Sequence, residues 1–476
     1  MINKAIKKLV SKNFLCFTSR QKQNKIINHN KNIISINVSG IRNVSNIRNV
    51  SNVGSGLFDG IPNEEIDKDK LIYLVKNMQM VNLKEKGILN NISNLLKRHM
   101  NQFTIDEIYL IIHSFSKLDF RKYSLYNNFV KIIMTKKPVI NTRTLTQMLI
   151  DLHKTSSLDL NALTFFTQYY INNLVKNFSL FDLSMILYIF NKYNYNDFIT
   201  VNKICQTISD HFIPIIDEDK GVLTTILLSL SVLNLNYEIY SNFLKLYVYT
   251  NYEKFEIKYL CNISYSIALW LARGSVKDKF LSELLKDIVF LLINNMQKLK
   301  NDELKQLHIV LYFLRAIEEN YEDTIKKIEK KNIKNTITVS KMQHQVEKIF
   351  TEIGLNVNKE FPVGPYVLDF ALKKKKIYVE VNGFTHYYTF DGKINNKTNL
   401  KYFILNKLKW KVIVSTFFLK KKYLKEDKVF FEICTQRYFI ILFCTQIVTI
   451  EYMDWKNKSK DDKIKYIETN ILEKIK

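Results

Sequence analysis

The chain has 476 residues and a formal net charge of +26, which favours a polyanionic partner. Its five cysteines form no CxxC pair and no Cys/His cluster, which argues against a disulfide framework and a zinc site. No stretch reaches the roughly 20 apolar residues that span a bilayer, so we expect no membrane insertion. Only 11 Gly and 5 Pro are present, which favours long helices.

The N-terminal segment is basic and contains no acid. Residues 1–58 hold ten Lys or Arg and no Asp or Glu, and apolar residues recur at helical spacing between the first lysines. Organelle-import segments have this pattern. We therefore predict a mitochondrial transit peptide, for delivery to the matrix, and a low-complexity spacer in which residues 41–46 recur at 47–52. The alternatives are a plastid transit peptide and a basic tail of a nuclear or cytosolic protein.

Residues 59–324 are close to neutral and carry a recurring apolar frame. Each anchor residue is followed by an apolar residue three and seven positions later, as on one face of an amphipathic helix. The spacing from anchor to anchor is 37 to 44 residues. The seven anchors are Leu71, Ile108, Leu145, Leu183, Leu223, Leu260 and Leu304.

A period near 38 residues leaves room for two helices and two turns, the unit of an α-solenoid. We therefore predict a mainly α chain in which about seven helical repeats present an extended concave surface to RNA or protein. A non-repetitive all-α domain, rich in Leu and Ile, is the alternative.

A basic linker, residues 325–340, leads to a predicted α/β domain at 341–476. A helix opens at Gln343 and ends near Gly354. Two strands follow, at 366–372 and 377–381, and four lysines join them as a hairpin turn. A helix at 398–408 and a strand at 411–414 complete the pattern.

Several separated motifs of this domain follow one another in a recognisable order. They are an extended segment ending at Asp369, a basic turn, Glu380-Val-Asn382-Gly-Phe-Thr-His386, Thr398-Asn-Leu-Lys401, an aromatic residue before a strand, and Tyr452-Met-Asp-Trp455. Together they resemble the RAP domain. The resemblance implies RNA binding and a fold of the restriction-endonuclease-like type. The order of a helical array and a RAP domain is also similar to FAST-kinase-domain proteins and octotricopeptide-repeat proteins.

The nuclease resemblance gives one set of candidate residues. Paired carboxylates on neighbouring strands can hold Mg²⁺ for phosphodiester hydrolysis, and the metal ligands would be Asp369 and Glu380. Such nucleases carry a lysine where this chain has Asn382, so His386 or Lys401 would have to act as base or phosphate ligand. Without nuclease activity no cofactor is expected. In the alternative, Asp369 accepts backbone hydrogen bonds, His386 is a core residue and Glu380 pairs with Lys401.

The basic residues of the domain give the second set. Residues 325–476 contain 31 basic and 16 acidic side chains. We predict that lysines contact RNA phosphates and that aromatic residues stack on bases. The candidates are Lys373, Lys374, Lys375, Lys376, Tyr378, Tyr387, Lys393, Lys397, Lys401, Lys407 and Trp410.

Residues 414–446 interrupt the domain pattern, either as an insertion or as a translated intron. The first two codons of the span can read GTAAGT and its last codons can end in CAG, and 33 codons preserve the frame. The whole sequence predicts an organellar protein that binds rRNA or mRNA and acts in RNA processing, RNA stability or ribosome assembly. A metal-dependent endoribonuclease and a structural component of the organellar ribosome, associated with its subunits, are the alternatives.

Overall fold

The computed structural model describes residues 67–80, 82–210, 220–273, 278–317, 319–331, 339–415, 455 and 458–469. The predicted transit peptide and spacer at 1–58, and all but the first two residues of the span 414–446, lie outside them. Contacts divide the chain into two units. One contains the residues up to Leu71 together with Glu85–Leu96, and the other contains Ile72–Lys84 and Lys97–Lys476.

Fourteen helices of at least seven residues precede Lys341 in the part of the chain that the structure describes. The helices Leu160–Phe166 and Tyr237–Phe243 each continue into a π-helical turn, at Thr167–Ile171 and Leu244–Val248. The helices, α1 to α14 in order, are Lys68–Met80, Lys86–Arg98, Ile105–Lys117, Tyr123–Lys136, Thr142–Lys154, Leu160–Phe166, Leu180–Lys192, Phe198–Asp210, Lys220–Leu233, Tyr237–Phe243, Ile257–Leu271, Lys279–Asn294, Asn301–Ala316 and Glu322–Glu329.

The helical repeat is confirmed by where the anchors fall. Each of the seven anchors is the fourth residue of an odd-numbered helix, from Leu71 in α1 to Leu304 in α13. All seven are at most 3% exposed. The apolar residue that recurs near every 38 positions therefore marks the buried stripe of the first helix in each pair.

The first helices of successive repeats pack side by side. Helices α3, α5, α7, α9, α11 and α13 each contact the next in this row. Side-chain caps begin several of them: the hydroxyl of Thr104 accepts the amide of Glu107, and Ser179 accepts that of Asp182. Such caps satisfy amides that have no partner inside the helix.

The C-terminal part is a small α/β domain. Helix α15 (Lys341–Glu352) precedes strands β1 (Asn358–Val363), β2 (Tyr366–Leu372) and β3 (Ile377–Val381), and helix α16 (Asn396–Lys407) leads to β4 (Lys411–Ser415). The sheet order is β1-β2-β3-β4, with β4 parallel to β3 and the other pairs antiparallel. A mainly helical chain that ends in an α/β domain is thereby confirmed, and this element order is compatible with the restriction-endonuclease-like type.

Helices cover both faces of the sheet. On one face Val346 and Phe350 of α15 pack against Phe370 and Val379. On the other, Tyr402 and Leu405 of α16 pack against Leu368 and other strand residues. A short helix, α17 (Lys460–Ile467), adds Ile467 to the α15 side. No helix among the described residues is long and apolar enough to cross a lipid bilayer.

Candidate nucleic-acid interface and carboxylate cluster

Asp369 is held by two hydrogen bonds at the end of the β2–β3 ladder. Its Oδ2 accepts the backbone amide of Val381 at 2.7 Å, and its Oδ1 accepts the side-chain amide of Gln343 at 2.7 Å. Gln343 lies in the first turn of α15, where Ser340 caps the helix. Burial raises the pKa of Asp369, opposed by these hydrogen bonds and by Lys401. The carboxyl group therefore joins α15, β2 and β3.

Glu380 forms an ion pair with Lys401 in the interior of the domain. The Glu380 Oε1 accepts a hydrogen bond from the Lys401 ammonium, and the side chains are 5% and 12% exposed. The same ammonium approaches the carbonyl of Val367 at 3.4 Å. Burial raises the pKa of Glu380, and the charge of Lys401 opposes this shift. Glu380 Oε2 is buried and has no hydrogen-bond partner among the residues that the structure describes.

Asn382 and His386 both bond to helix α16. The Asn382 amide donates to the hydroxyl of Tyr402 at 2.6 Å, while its Oδ1 is buried and has no partner in the described part of the chain. His386 Nδ1 lies 3.2 Å from the Thr398 hydroxyl. Burial, and then the charge of Lys401, lower the pKa of His386 to about 4. The imidazole is therefore neutral at physiological pH.

The five candidate catalytic residues thus lie around α16 and β3, but their bonds do not fit a hydrated Mg²⁺ ion. Such an ion keeps several waters and binds one or two carboxylates. Here Lys401 already neutralises Glu380, and both oxygens of Asp369 accept hydrogen bonds. The acceptors left over, Glu380 Oε2 and Asn382 Oδ1, are closed to solvent. Within the described residues, no three His, Cys, Asp or Glu side chains form a metal-holding group.

The four lysines at 373–376 form an exposed turn between β2 and β3. Lys373–Lys375 make one 3₁₀ turn, and Lys376 has a φ of 51° that closes it. All four side chains are exposed, and the Lys373 ammonium lies 5.8 Å from the centroid of the Phe361 ring. Since β4 pairs with β3 from Ile377 onward, the exposed Lys409 lies at the same end of the sheet. This turn is available for phosphate contacts.

The prediction that Tyr378, Tyr387 and Trp410 stack on bases is wrong. Their exposed fractions are 1%, 5% and 8%, because they fill the space between the sheet, α16 and the loop before it. Trp410 packs against Phe361 with ring centroids 5.8 Å apart. Lys401 likewise forms its ion pair with Glu380 and does not face solvent, as a phosphate ligand would. Composition alone does not separate a surface aromatic residue from a core one.

Of the other lysines, three keep exposed side chains: Lys393, Lys397 and Lys407. Lys393 lies 3.6 Å from the carboxylate of Asp391. Lys407 lies above the ring of Phe403, at 5.9 Å from its centroid. Lys397 differs, because its ammonium reaches Asn191 of helix α7 at 3.4 Å. It lies where the α/β domain meets the helical repeats.

The loop between β3 and α16 is fixed to the ends of α7 and α9 by polar contacts that the sequence did not reveal. Asn194, with a φ of 49° just after α7, donates from its side chain to the carbonyl of Thr385 at 2.9 Å. The Asn396 amide donates to the carbonyl of Ser231 at 2.7 Å, and the Tyr388 hydroxyl donates to that of Val232 at 2.6 Å. These bonds fix the register between the two regions.

Helix α16 also packs against the row of first helices. It contacts α9, α11 and α13, and Phe403 meets Phe313 with ring centroids 5.5 Å apart. The α/β domain thus covers part of the row of first helices. A ligand that follows this row must therefore also meet α16 or the loop before it.

Comparison with known proteins agrees with this geometry. No curated protein matches the chain. Residues 379–429 match the family model of the RAP domain, a range that contains the end of β3, the loop, α16 and β4. RAP domains are generally RNA-binding domains. The match identifies a RAP domain within the C-terminal α/β region of this chain.

Proposed function

We propose that the protein binds RNA inside an organelle through its RAP domain and the adjoining helical repeats. The observation that carries the proposal is the turn of four exposed lysines at 373–376 on a domain that matches an RNA-binding family. Phosphate groups are the anions that such a turn would meet on a transcript. Binding of purified full-length chain to labelled RNA, measured against salt concentration, tests the proposal. Failure to retain RNA at low salt contradicts it.

The organelle that we propose is the mitochondrion, with a plastid as the alternative. The support is the N-terminal segment, in which residues 1–58 carry ten basic and no acidic side chains. Import machinery recognises basic, acid-poor, amphipathic segments. A fluorescent reporter fused to residues 1–55 should accumulate in the mitochondrial matrix. A reporter that stays in the cytosol removes the organellar part of the proposal and leaves RNA binding untouched.

The role that we propose is the processing or stabilisation of an organellar transcript, or assembly of the organellar ribosome. Crosslinking in cells followed by sequencing of the bound RNA identifies the target and separates mRNA from rRNA. A structural ribosomal protein would stay with a ribosomal subunit through a high-salt wash. A processing or assembly factor, held mainly by phosphate contacts, should be released by the same wash.

A further inference from the structure

The seam between the repeats and the RAP domain carries a compact group of cations and rings, of which only Lys397 is among the RNA-binding residues predicted from the sequence. We call it the seam cluster. It lies at the C-terminal ends of α5 and α7 and the first turn of α16. Its members are His153, Lys154, Tyr188, Lys192, Tyr193 and Lys397.

His153 contacts both of the other rings of the seam cluster. The imidazole of His153 lies 5.5 Å from the ring of Tyr193 and 6.1 Å from that of Tyr188, measured between centroids. His153 Nδ1 approaches the Tyr193 hydroxyl at 3.4 Å. All three side chains are only half-buried. Unlike Tyr378, Tyr387 and Trp410, these rings therefore retain surface on which a base can stack.

The three lysines of the seam cluster are exposed. The ammonium of Lys192 lies 5.1 Å from the centroid of the Tyr188 ring. Burial and, after it, the charges of Lys192 and Lys154 lower the pKa of His153. Desolvation and, after it, the charge of Lys192 lower the pKa of Lys397. The charges of α7 and α16 therefore act on one another across the seam.

Carboxylates do not neutralise these cations. In the described part of the chain none of the three lysines forms an ion pair, and Lys397 bonds to the neutral amide of Asn191. Asp159 acts electrostatically on Tyr193. Its oxygens accept from the amide of Ala162 at 2.8 Å and from the Tyr123 hydroxyl at 3.2 Å. The seam cluster therefore combines three exposed positive charges with half-buried rings. This combination is complementary to a polyanion that also carries flat apolar groups which can stack on the rings.

We propose that the seam cluster binds single-stranded RNA, with phosphates on Lys154, Lys192 and Lys397 and a base against Tyr188 or Tyr193. This inference rests on the proposed function and adds the place where the strand passes from the repeats to the RAP domain. Lysines interleaved with aromatic rings bind single strands, because every base has a face to stack and every nucleotide a phosphate. A duplex keeps its bases stacked internally, so it meets only the lysines.

Two triple variants of the full chain test the site. Lys154→Gln, Lys192→Gln and Lys397→Gln remove the seam charges. Lys131→Gln, Lys176→Gln and Lys203→Gln remove three exposed charges on or near second helices and serve as the matched control. For single-stranded RNA the slope of log K against log salt should fall by about 2 in the seam triple, at roughly 0.7 per phosphate contact. The control should keep the wild-type slope.

A ring variant makes the test specific for bases. Tyr188→Leu keeps an apolar side chain and should weaken single-strand binding by roughly tenfold, with little effect on a duplex of the same sequence. Equal slopes in the two triples, or RNA binding lost only when lysines 373–376 are changed, overturn the seam site and leave the proposed function standing. Wild-type chain that retains no RNA overturns both. A seam triple that keeps its RNA affinity but loses an acidic protein partner shows that the seam docks protein.

Discussion

Lys401 of α16 and Glu380 of β3 form an ion pair between the helix and the sheet of the RAP domain. A nuclease would need the same two residues as phosphate ligand and metal ligand. In this chain the two charges neutralise each other, and Asp369 accepts hydrogen bonds from Val381 and Gln343. The carboxylates that suggest catalysis from the sequence thus connect the layers of the domain, and this relationship gives the first two predictions.

Removing one partner of the buried ion pair should destabilise the protein strongly. We expect Lys401→Met or Glu380→Gln to lower the free energy of unfolding of the RAP region by about 3–5 kcal/mol, because an isolated charge or an unpaired amide remains in the interior. The double variant should lose less than the sum of the two. Urea unfolding of the full-length variants measures this. Additive losses would show that the two side chains do not act on each other.

The purified protein should not cleave RNA in a Mg²⁺-dependent manner. We expect labelled RNA to remain intact with Mg²⁺, and Asp369→Asn to bind RNA with nearly wild-type affinity because Asp369 lies away from the exposed lysine turn. Gel analysis of RNA incubated with Mg²⁺ or with EDTA checks the first point. Cleavage that requires Mg²⁺ and disappears in Asp369→Asn would establish the endoribonuclease instead.

The lysine turn should hold RNA phosphates. Replacing lysines 373–376 with serine removes four exposed charges. Each lysine that holds a phosphate in the wild-type chain should, once replaced, reduce the slope of log K against log salt by about 0.7 to 0.9. Filter binding over a series of salt concentrations measures the slope. Because the turn is exposed, the unfolding midpoint should hardly move, and an unchanged slope would place the RNA on other residues.

The match between sequence and structure is closest where a pattern is local and repeated. Leu71 and the other anchors recur at the fourth position of each first helix because amphipathic packing imposes one spacing on every repeat. Strand β1 was missed because its edge-strand sequence, Asn-Lys-Glu-Phe-Pro-Val, is largely exposed or half-buried and shows no clean alternation. The bonds from Asn194 and Asn396 join residues far apart in the chain, so no local pattern could reveal them.

We expect that replacing Gly364 destabilises the protein, because the β1–β2 turn approaches α13 at this residue. Its φ is 56°, and a Cβ there would lie 2.5 Å from two ring atoms of Tyr312. Gly354 has a φ of 71° with no atom within 4 Å of such a Cβ, so alanine there meets only the left-handed backbone, a cost of about 1–2 kcal/mol. We expect Gly364→Ala to cost about 1–3 kcal/mol more than Gly354→Ala.

Unfolding of both glycine variants and of Gly364→Ala combined with Tyr312→Leu separates the two causes. The smaller leucine should restore part of the stability that Gly364→Ala loses. Equal losses in the two glycine variants would show that the ring moves aside without cost.

The buried His386 should make the fold sensitive to mild acid. Its pKa is lowered from 6.5 to about 4 in the folded protein, so the unfolded chain takes up the proton first as the pH falls. The stability that depends on a neutral His386 is therefore fully present above pH 6.5. It is lost as the pH falls from about 6.5 to 4, by at most about 3 kcal/mol. Unfolding free energies across this range should show a smaller slope in His386→Gln. The same substitution at the exposed His344 serves as control. If His386→Gln and the wild-type chain show equal slopes of unfolding free energy against pH, His386 is not the group responsible.

The last prediction concerns the span 414–446, which we expect to be absent from the protein that the cell makes. Trp455, beyond the span, is 1% exposed, packs in the cluster on the α15 side of the sheet, and donates to Gln345 at 3.1 Å. Trp455 therefore belongs to the domain core, while β4 ends at Ser415. The family match extends to residue 429, which favours the alternative of a genuine insertion.

Sequencing of cDNA across codons 405–455 decides between a translated intron and an insertion. We expect a dominant transcript in which the codons for Trp410-Lys-Val-Ile join directly to those for the segment that leads to Trp455. Loss of 33 codons keeps the reading frame, so both forms encode the same C-terminus and mass spectrometry of the protein provides an independent check. A dominant transcript that retains all 33 codons, or tryptic peptides from residues 423–437, would show that the insertion is real.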